Sequence, residues 1–213
     1  IYGLTKGQYS PTSEPGKITK STPMGSVDNP FNPLSLALGA DATFVARTLD
    51  SDRKHLQSVL REAADHKGAS FIEIYQNCPI FNDDAFEPLK DPDQRDDRLV
   101  RLEAGQPITY GANGEHGLRL GKYGSLEAVE TSTADPSEIV VHDPHLTDPG
   151  YAFSLSRLDA ADFSHTPIGV FRKVERPSYD EQMRAQLETA RATAGDGDLG
   201  ALLNSGDTWH VPA

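Results

Sequence analysis

Residues 71–82, Phe-Ile-Glu-Ile-Tyr-Gln-Asn-Cys-Pro-Ile-Phe-Asn, constrain the fold more than any other stretch of the chain. Phe71, Ile72, Ile74 and Tyr75 are β-branched or aromatic side chains that suit a pleated surface covered on both faces, so a central strand is expected here, with Gln76 as its more polar end. Immediately beyond it stands Cys78, and Pro79 then ends the hydrogen-bond ladder and fixes the backbone direction. A thiol is thereby delivered to the carboxyl end of a strand, the edge on which open α/β sheets hold their ligands.

Cys78 is the only cysteine in the sequence, so an internal disulfide is impossible and a reducing cytoplasm is the natural compartment. Two readings of it stay open on the residues alone. It is a small buried hydrophobe, as most lone cysteines are, or it is a thiolate on iron, because Cys-Pro recurs where an iron–sulfur cluster is held. One cysteine cannot hold a cluster, so the second reading takes the remaining ligands from protein outside this sequence. A third use, as a hydrolase nucleophile beside His66 or His116, is opposed by Pro79, which removes the backbone amide commonly used as an oxyanion donor.

Upstream, the pattern predicts a parallel unit. Asn32 caps a short helix with Pro33 at its first position and Gly39 as its stop. Residues 43–46 read as a strand. Asp50, Ser51 and Asp52 supply capping oxygens for a helix whose Leu56, Val59, Leu60 and Ala63 share one face, ending near His66. Strand, helix and strand in this order predict a right-handed βαβ crossover, with Arg47 and Thr48 on the same edge as Cys78.

Before this unit the chain is irregular. Residues 1–8 place Gly3 and Gly7 around Thr5 and Lys6, so that backbone amides turn toward an anion while Lys6 adds charge. A plain surface turn has the same composition. Residues 9–28, rich in Pro, Ser, Thr, Gly and Lys, read as a loop folded over a ligand or an arm on a neighbouring subunit. The chain opens at Ile1 without an initiator Met, which reads as part of a longer polypeptide.

Downstream, residues 83–98 are an acidic stretch expected to be a solvated linker. Residues 99–102, 108–110 and 117–120 alternate as short strands of an antiparallel appendage, with Asn113-Gly114 as a hairpin turn, and 139–142 adds another strand. His142 and His145 lack a third ligand nearby and read as ordinary histidines. Residues 166–172 are apolar enough to pack on the core or a partner. Residues 179–194 form a polar helix with Met183, Leu187 and Ala190 on one side, and Gly195-Asp196-Gly197 reads as its stop. The expected organisation is thus 1–82, an α/β portion; 83–98, the linker; and 99–213, an extension. With 37% hydrophobic residues, 15 prolines and 18 glycines, long irregular arms around an ordered core are expected. A net charge of −12 excludes nucleic acid and anionic membrane surfaces as partners, and no apolar run is long enough to span a bilayer.

The two leading motifs together resemble one family. Ile1-Tyr-Gly-Leu-Thr-Lys-Gly-Gln8, followed by Tyr9-Ser-Pro-Thr-Ser13, is similar to the loop after the thiamin-diphosphate metal motif in the β subunit of 2-oxoacid:ferredoxin oxidoreductases. Residues 73–82 resemble the segment with that subunit's last cluster cysteine, and 166–172 and 206–209 resemble the C-terminal part of the 2-oxoglutarate type. The resemblance implies an α/β fold, the C-terminal part of a thiamin-diphosphate-binding parallel-sheet module with a small antiparallel appendage. It implies oxidative decarboxylation of a 2-oxoacid to an acyl-CoA with electrons passed through a [4Fe–4S] cluster. Ile1, Tyr2, Gly3, Leu4 and Thr5 would then contact the cofactor, with the Ile1 carbonyl on Mg2+. Leu4 and Lys6 would stand at the reaction centre, Lys6 paired with a carboxylate of a dicarboxylic substrate or with an acidic gate residue of the partner subunit, and Cys78 would ligate the cluster. The other metal and cluster ligands fall before Ile1, so the chain alone is expected to be inactive. Implied partners are the α subunit in a heterodimer or dimer of heterodimers, ferredoxin, the 2-oxoacid and coenzyme A. The contrasting reading is a non-catalytic interaction subunit with Cys78 in the core.

Overall fold

The computed structural model describes residues 9–20, 22–158, 163–209 and 211–212. The chain divides into two compact units, 1–175 and 176–213.

In the first unit, α1 (Pro33–Gly39) starts where Asn32 accepts the Ser35 amide at 2.9 Å, and it buries Leu34 and Leu38. Next comes β1 (Phe44–Leu49), with all six residues buried. α2 (Arg53–Asp65) is capped by Asp52, whose carboxylate accepts the His55 amide at 3.1 Å, and it turns Val59 onto the sheet. The chain then returns through β2 (Ser70–Tyr75), parallel to β1 with Phe44 opposite Ser70 and Leu49 opposite Tyr75. The crossover expected from the apolar spacing is therefore present.

Beyond Cys78, a 3-10 turn (Glu87–Leu89) and α3 (Arg95–Arg98) lead into β3 (Leu99–Leu102), and Leu89 is buried against Leu49, Leu99 and Ile168. β4 (Thr109–Tyr110), β5 (His116–Leu120) and β6 (Leu126–Glu130) make a three-stranded antiparallel sheet. α4 (Gly150–Ser156) precedes β7 (Thr166–Lys173). The main sheet has the order β2-β1-β7-β3, with β7 antiparallel to β1 and parallel to β3.

Several local expectations change. β1 is the doubly covered strand and β2 lies at the sheet's edge, half-buried, with Ile74 41% exposed. The apolar run at 71–75 reports a pleated surface but not the number of its neighbours. β1 also runs three residues further than the spacing implied, so Arg47 and Thr48 are buried inside the ladder and not on its carboxyl edge. Residues 99–102 belong to the main sheet, not the appendage, because the apolar strand β7 offers them a partner. Residues 139–142 make only isolated bridges, Ile139 to Arg119 and Val141 to Pro107. His142 is buried there, one ring nitrogen 2.8 Å from the Val170 carbonyl and the other 3.0 Å from the Tyr151 hydroxyl.

One core joins both sheets: Leu38, Val45, Val100, Ile108, Leu118 and Phe171 pack together. At about 1.5–3 kcal/mol per fully buried large apolar side chain, this cluster is the main source of stability.

The second unit holds α5 (Tyr179–Ala194) and α6 (Leu199–Leu203). α5 opens on a capping box of Ser178 and Glu181 and stops at Gly195, φ 78°, while Asp198 caps α6. Gly195-Asp196-Gly197 is thus a helix stop, as its position implied.

Candidate functional site

The carboxyl ends of β1 and β2 carry the candidate site. Arg47, 1% exposed, donates from Nε to Glu73 at 2.8 Å across the two strands, and its guanidinium lies 4.8 Å from the Tyr75 ring centre. Tyr75 in turn stacks on Phe86 at 4.6 Å, with Phe163 edge-on at 6.3 Å. A buried ion pair and an aromatic cluster therefore fix the end of β2, from which the chain runs through Gln76 and Asn77 to the thiol.

Cys78 is half-buried, outside the hydrophobic core, and in no disulfide. Its carbonyl accepts the Asn82 amide at 2.9 Å, closing a tight loop in which the two residues face each other as an antiparallel bridge. Asn77 donates from Nδ2 to the Asp83 carboxylate at 2.7 Å. Asn77 Oδ1 and Asn82 Oδ1 are buried without a hydrogen-bond partner, and the third such side-chain atom among the described residues, Arg172 Nε, belongs to another part of the fold. An orphaned buried acceptor costs about 1–3 kcal/mol, so two of them beside one thiol mark a surface to be completed by other groups. Cys78 thus lies on a polar, incomplete surface and not among the aliphatics of the core, and a carboxamide oxygen, which only accepts, is not itself a partner for a thiolate. Among the described residues no three His, Cys, Asp or Glu side chains are grouped to hold a metal, so a cluster on Cys78 would need ligands from outside them.

The proposed hydrolase partners are not near this thiol by topology. His66 follows α2 at the opposite edge of the sheet, 2.9 Å from the Thr43 hydroxyl, and the six-residue strand between spans about 20 Å. His116 sits on β5, 3.1 Å from Glu130. His145 contacts the Lys173 carbonyl at 2.8 Å, and neither it nor His142 is placed as a metal ligand. Ile1, Tyr2, Gly3, Leu4, Thr5 and Lys6 lie outside the described residues.

A second feature on the same edge was invisible in the sequence. A hollow of about 330 Å³ has Leu49, Leu89 and Leu99 among its walls and Arg53, Lys54, Lys90, Arg95 and Arg101 around them. Arg101 pairs with Asp52 at 3.0 Å, Lys90 with Glu87 at 2.9 Å and Arg95 with Asp96 at 3.4 Å. Burial opposes ionisation of Asp52, but the His55 amide and Arg101 outweigh it and hold the carboxyl below its usual range. Hydrogen bonding to Glu87 raises Lys90. Arg53 and Lys54, in the first turn of α2, take no partner among the described residues. Of the five cations around the hollow three are already paired with carboxylates, and Arg53 and Lys54 leave it a net positive charge that suits an anionic ligand. The five come from three separate stretches, so no local motif announces them.

Residues 1–74 match the family model described as thiamine pyrophosphate enzyme, C-terminal TPP binding domain. Over 99% of its length the chain is 54% identical to the 2-oxoglutarate oxidoreductase subunit KorB of Mycobacterium tuberculosis, covering 57% of that protein. The chain belongs to the 2-oxoacid:ferredoxin oxidoreductase β-subunit family. A second member, the 2-oxoacid:ferredoxin oxidoreductase subunit beta of Saccharolobus solfataricus, is 37% identical over 87% of this chain and 50% of its own. The chain thus spans about half the length of these curated relatives. Among solved structures it is similar to a 2-oxoglutarate:ferredoxin oxidoreductase from Magnetococcus marinus with 2-oxoglutarate, coenzyme A and succinyl-CoA bound. That match has a TM-score of 0.63 and 25% identity, and it covers 98% of this chain and 55% of the other. Family membership agrees with the resemblance carried by residues 1–13 and 73–82. Among the described residues no helix is long and apolar enough to cross a membrane.

Proposed function

We propose that the chain serves, with an α subunit, in a cytoplasmic oxidoreductase that converts 2-oxoglutarate and coenzyme A to succinyl-CoA and reduces ferredoxin. The observation that carries this reading is 54% identity along nearly the whole chain to a 2-oxoglutarate oxidoreductase subunit. Cys78 past the carboxyl end of β2, half-buried and outside the hydrophobic core, supports it. Thiamin diphosphate with Mg2+, when bound, would supply the electron sink for decarboxylation, and a [4Fe–4S] cluster would supply a one-electron acceptor.

This chain's own residues bind and orient. By family likeness the Ile1 carbonyl would hold Mg2+, Tyr2, Gly3, Leu4 and Thr5 would contact the cofactor, and Lys6 would pair with the substrate's distal carboxylate. Cys78 would supply one cluster thiolate. The exposed cations Arg53 and Lys54 of the hollow are suited to the phosphates of coenzyme A. The test is anaerobic assay of the assembled enzyme for electron transfer that requires both 2-oxoglutarate and coenzyme A. Cys78→Ala should lose cluster iron and ferredoxin reduction, and full iron content in that variant removes the reading of Cys78. Lys54→Ala should raise KM for coenzyme A about tenfold, the equivalent of about 1.4 kcal/mol, with kcat little changed. An unchanged KM removes the hollow from the substrate path.

A further inference from the structure

The two orphaned carboxamides beside Cys78 are not equivalent. Asn77 is locked: its Nδ2 donates to the Asp83 carboxylate at 2.7 Å, and a carboxylate only accepts, so Oδ1 must be the end that points into the buried space. Asn82 has its Oδ1 buried and unpartnered too, while its backbone amide is spent on the Cys78 carbonyl at 2.9 Å. No carboxylate holds its Nδ2 among the described residues, so a half-turn about the last side-chain torsion exchanges the acceptor for an N–H donor.

Position decides what such a donor would meet. Cys78 and Asn82 face each other as an antiparallel bridge, and side chains paired in this way leave the ladder on the same side, their Cβ atoms about 4.5–5.5 Å apart. The carboxamide of Asn82 and the sulfur of Cys78 therefore project into one neighbourhood. A buried thiolate, or a sulfide bonded to the same iron, is an electron-rich acceptor that takes N–H donors, and such hydrogen bonds are among the factors that set the potential of an iron–sulfur centre. The positive end of an N–H dipole stabilises the more negative, reduced state.

We propose that the Asn82 side chain donates a hydrogen bond to a sulfur of the redox centre that Cys78 ligates, and thereby raises that centre's reduction potential. The inference rests on the reading of Cys78 as a cluster ligand. It makes Asn82 a positioning and tuning residue, not a ligand, and it also removes the desolvation cost of one of the two orphaned groups.

The test is an anaerobic redox titration of the assembled enzyme, followed by electron paramagnetic resonance, with iron content measured on the same samples. Asn82→Leu keeps the size and removes the donor, and Asn82→Ser restores a shorter one. Both variants are expected to carry wild-type iron, with the midpoint potential lowered in Asn82→Leu and returned toward the wild-type value in Asn82→Ser. A wild-type potential in iron-replete Asn82→Leu overturns the proposal. So does loss of iron in both variants, which would make Asn82 a residue of cluster assembly. If Cys78→Ala retains its iron, the underlying reading of the thiol fails instead, and the two failures are told apart by which variant keeps the metal.

Discussion

Replacing Arg47 by Met tests whether a buried ion pair holds the strand that leads to Cys78. Arg47 is 1% exposed, bonds Glu73 at 2.8 Å and lies over the Tyr75 ring, and the Glu73 side chain is itself only 13% exposed. Met fills most of the stem's volume but leaves the carboxylate without its partner. Breaking a buried pair from one side costs about 3–5 kcal/mol, a large share of the roughly 5–15 kcal/mol that holds a domain folded. With a urea slope of about 2 kcal/mol per M, the unfolding midpoint should fall by about 2 M. The second half of the cycle removes the stranded charge: Arg47→Met with Glu73→Leu should recover more than half of the loss, because an apolar pair suits a site between Tyr75 and Phe171. Equilibrium urea denaturation of the wild type and the two variants gives the comparison. A double variant no more stable than Arg47→Met alone would refute the reasoning, because the loss would then belong to packing and not to an unpaired carboxylate.

Two further perturbations bear on the framework of the site. Burial pushes His142 below its ordinary range, so it stays neutral in the fold while the unfolded chain takes up a proton below about pH 6.5. Its stabilising contribution is complete above that pH and is lost as pH falls toward the depressed folded value. His142→Phe should cost about 2–4 kcal/mol at pH 7.5 by orphaning the Val170 carbonyl and the Tyr151 hydroxyl, yet lose less than wild type between pH 7.5 and 5.5. A wild-type pH slope in the variant would assign the titration to another group, such as His55 or His66, which burial also lowers. Gly169 has φ +124°, and a Cβ there would meet the Leu102 carbonyl oxygen at 2.8 Å, so Gly169→Ala should destabilise by about 2–4 kcal/mol in thermal unfolding. A shift within error would mean that β3 and β7 separate freely at this point.

What could be read directly from the chain was whatever its neighbours in sequence decide. Asn32 with Pro33, and Asp52, start their helices through atoms within three residues, as their composition implied, and α5 fills the expected span behind the capping box of Ser178 and Glu181. The position of Cys78 just past a strand was legible for the same reason, since a strand followed by Cys-Pro is a local statement. Strand order was not. β7 enters between β1 and β3 from more than a hundred residues downstream of β1, and nothing near residue 44 announces it. β6 reads Leu-Glu-Ala-Val-Glu, a composition that favours helix, and pairing with β5 overrides it. The cationic hollow joins residues 52–54 to 90–101 only after the sheet has formed.

The late arrival of β7 has a consequence for how the molecule comes into being. β1, α2 and β2 can associate as soon as residue 75 is available, but one flank of β1 waits for residues 166–173 before it is covered. During synthesis, at about 5–20 residues per second, that flank is open for roughly 5–20 seconds, with unpaired amides and carbonyls along an apolar ribbon. Such pairings between distant parts of a chain form slowly because a long loop must close first. A nascent polypeptide of this kind needs shielding on the ribosome, and versions ending before Lys173 should accumulate as insoluble material.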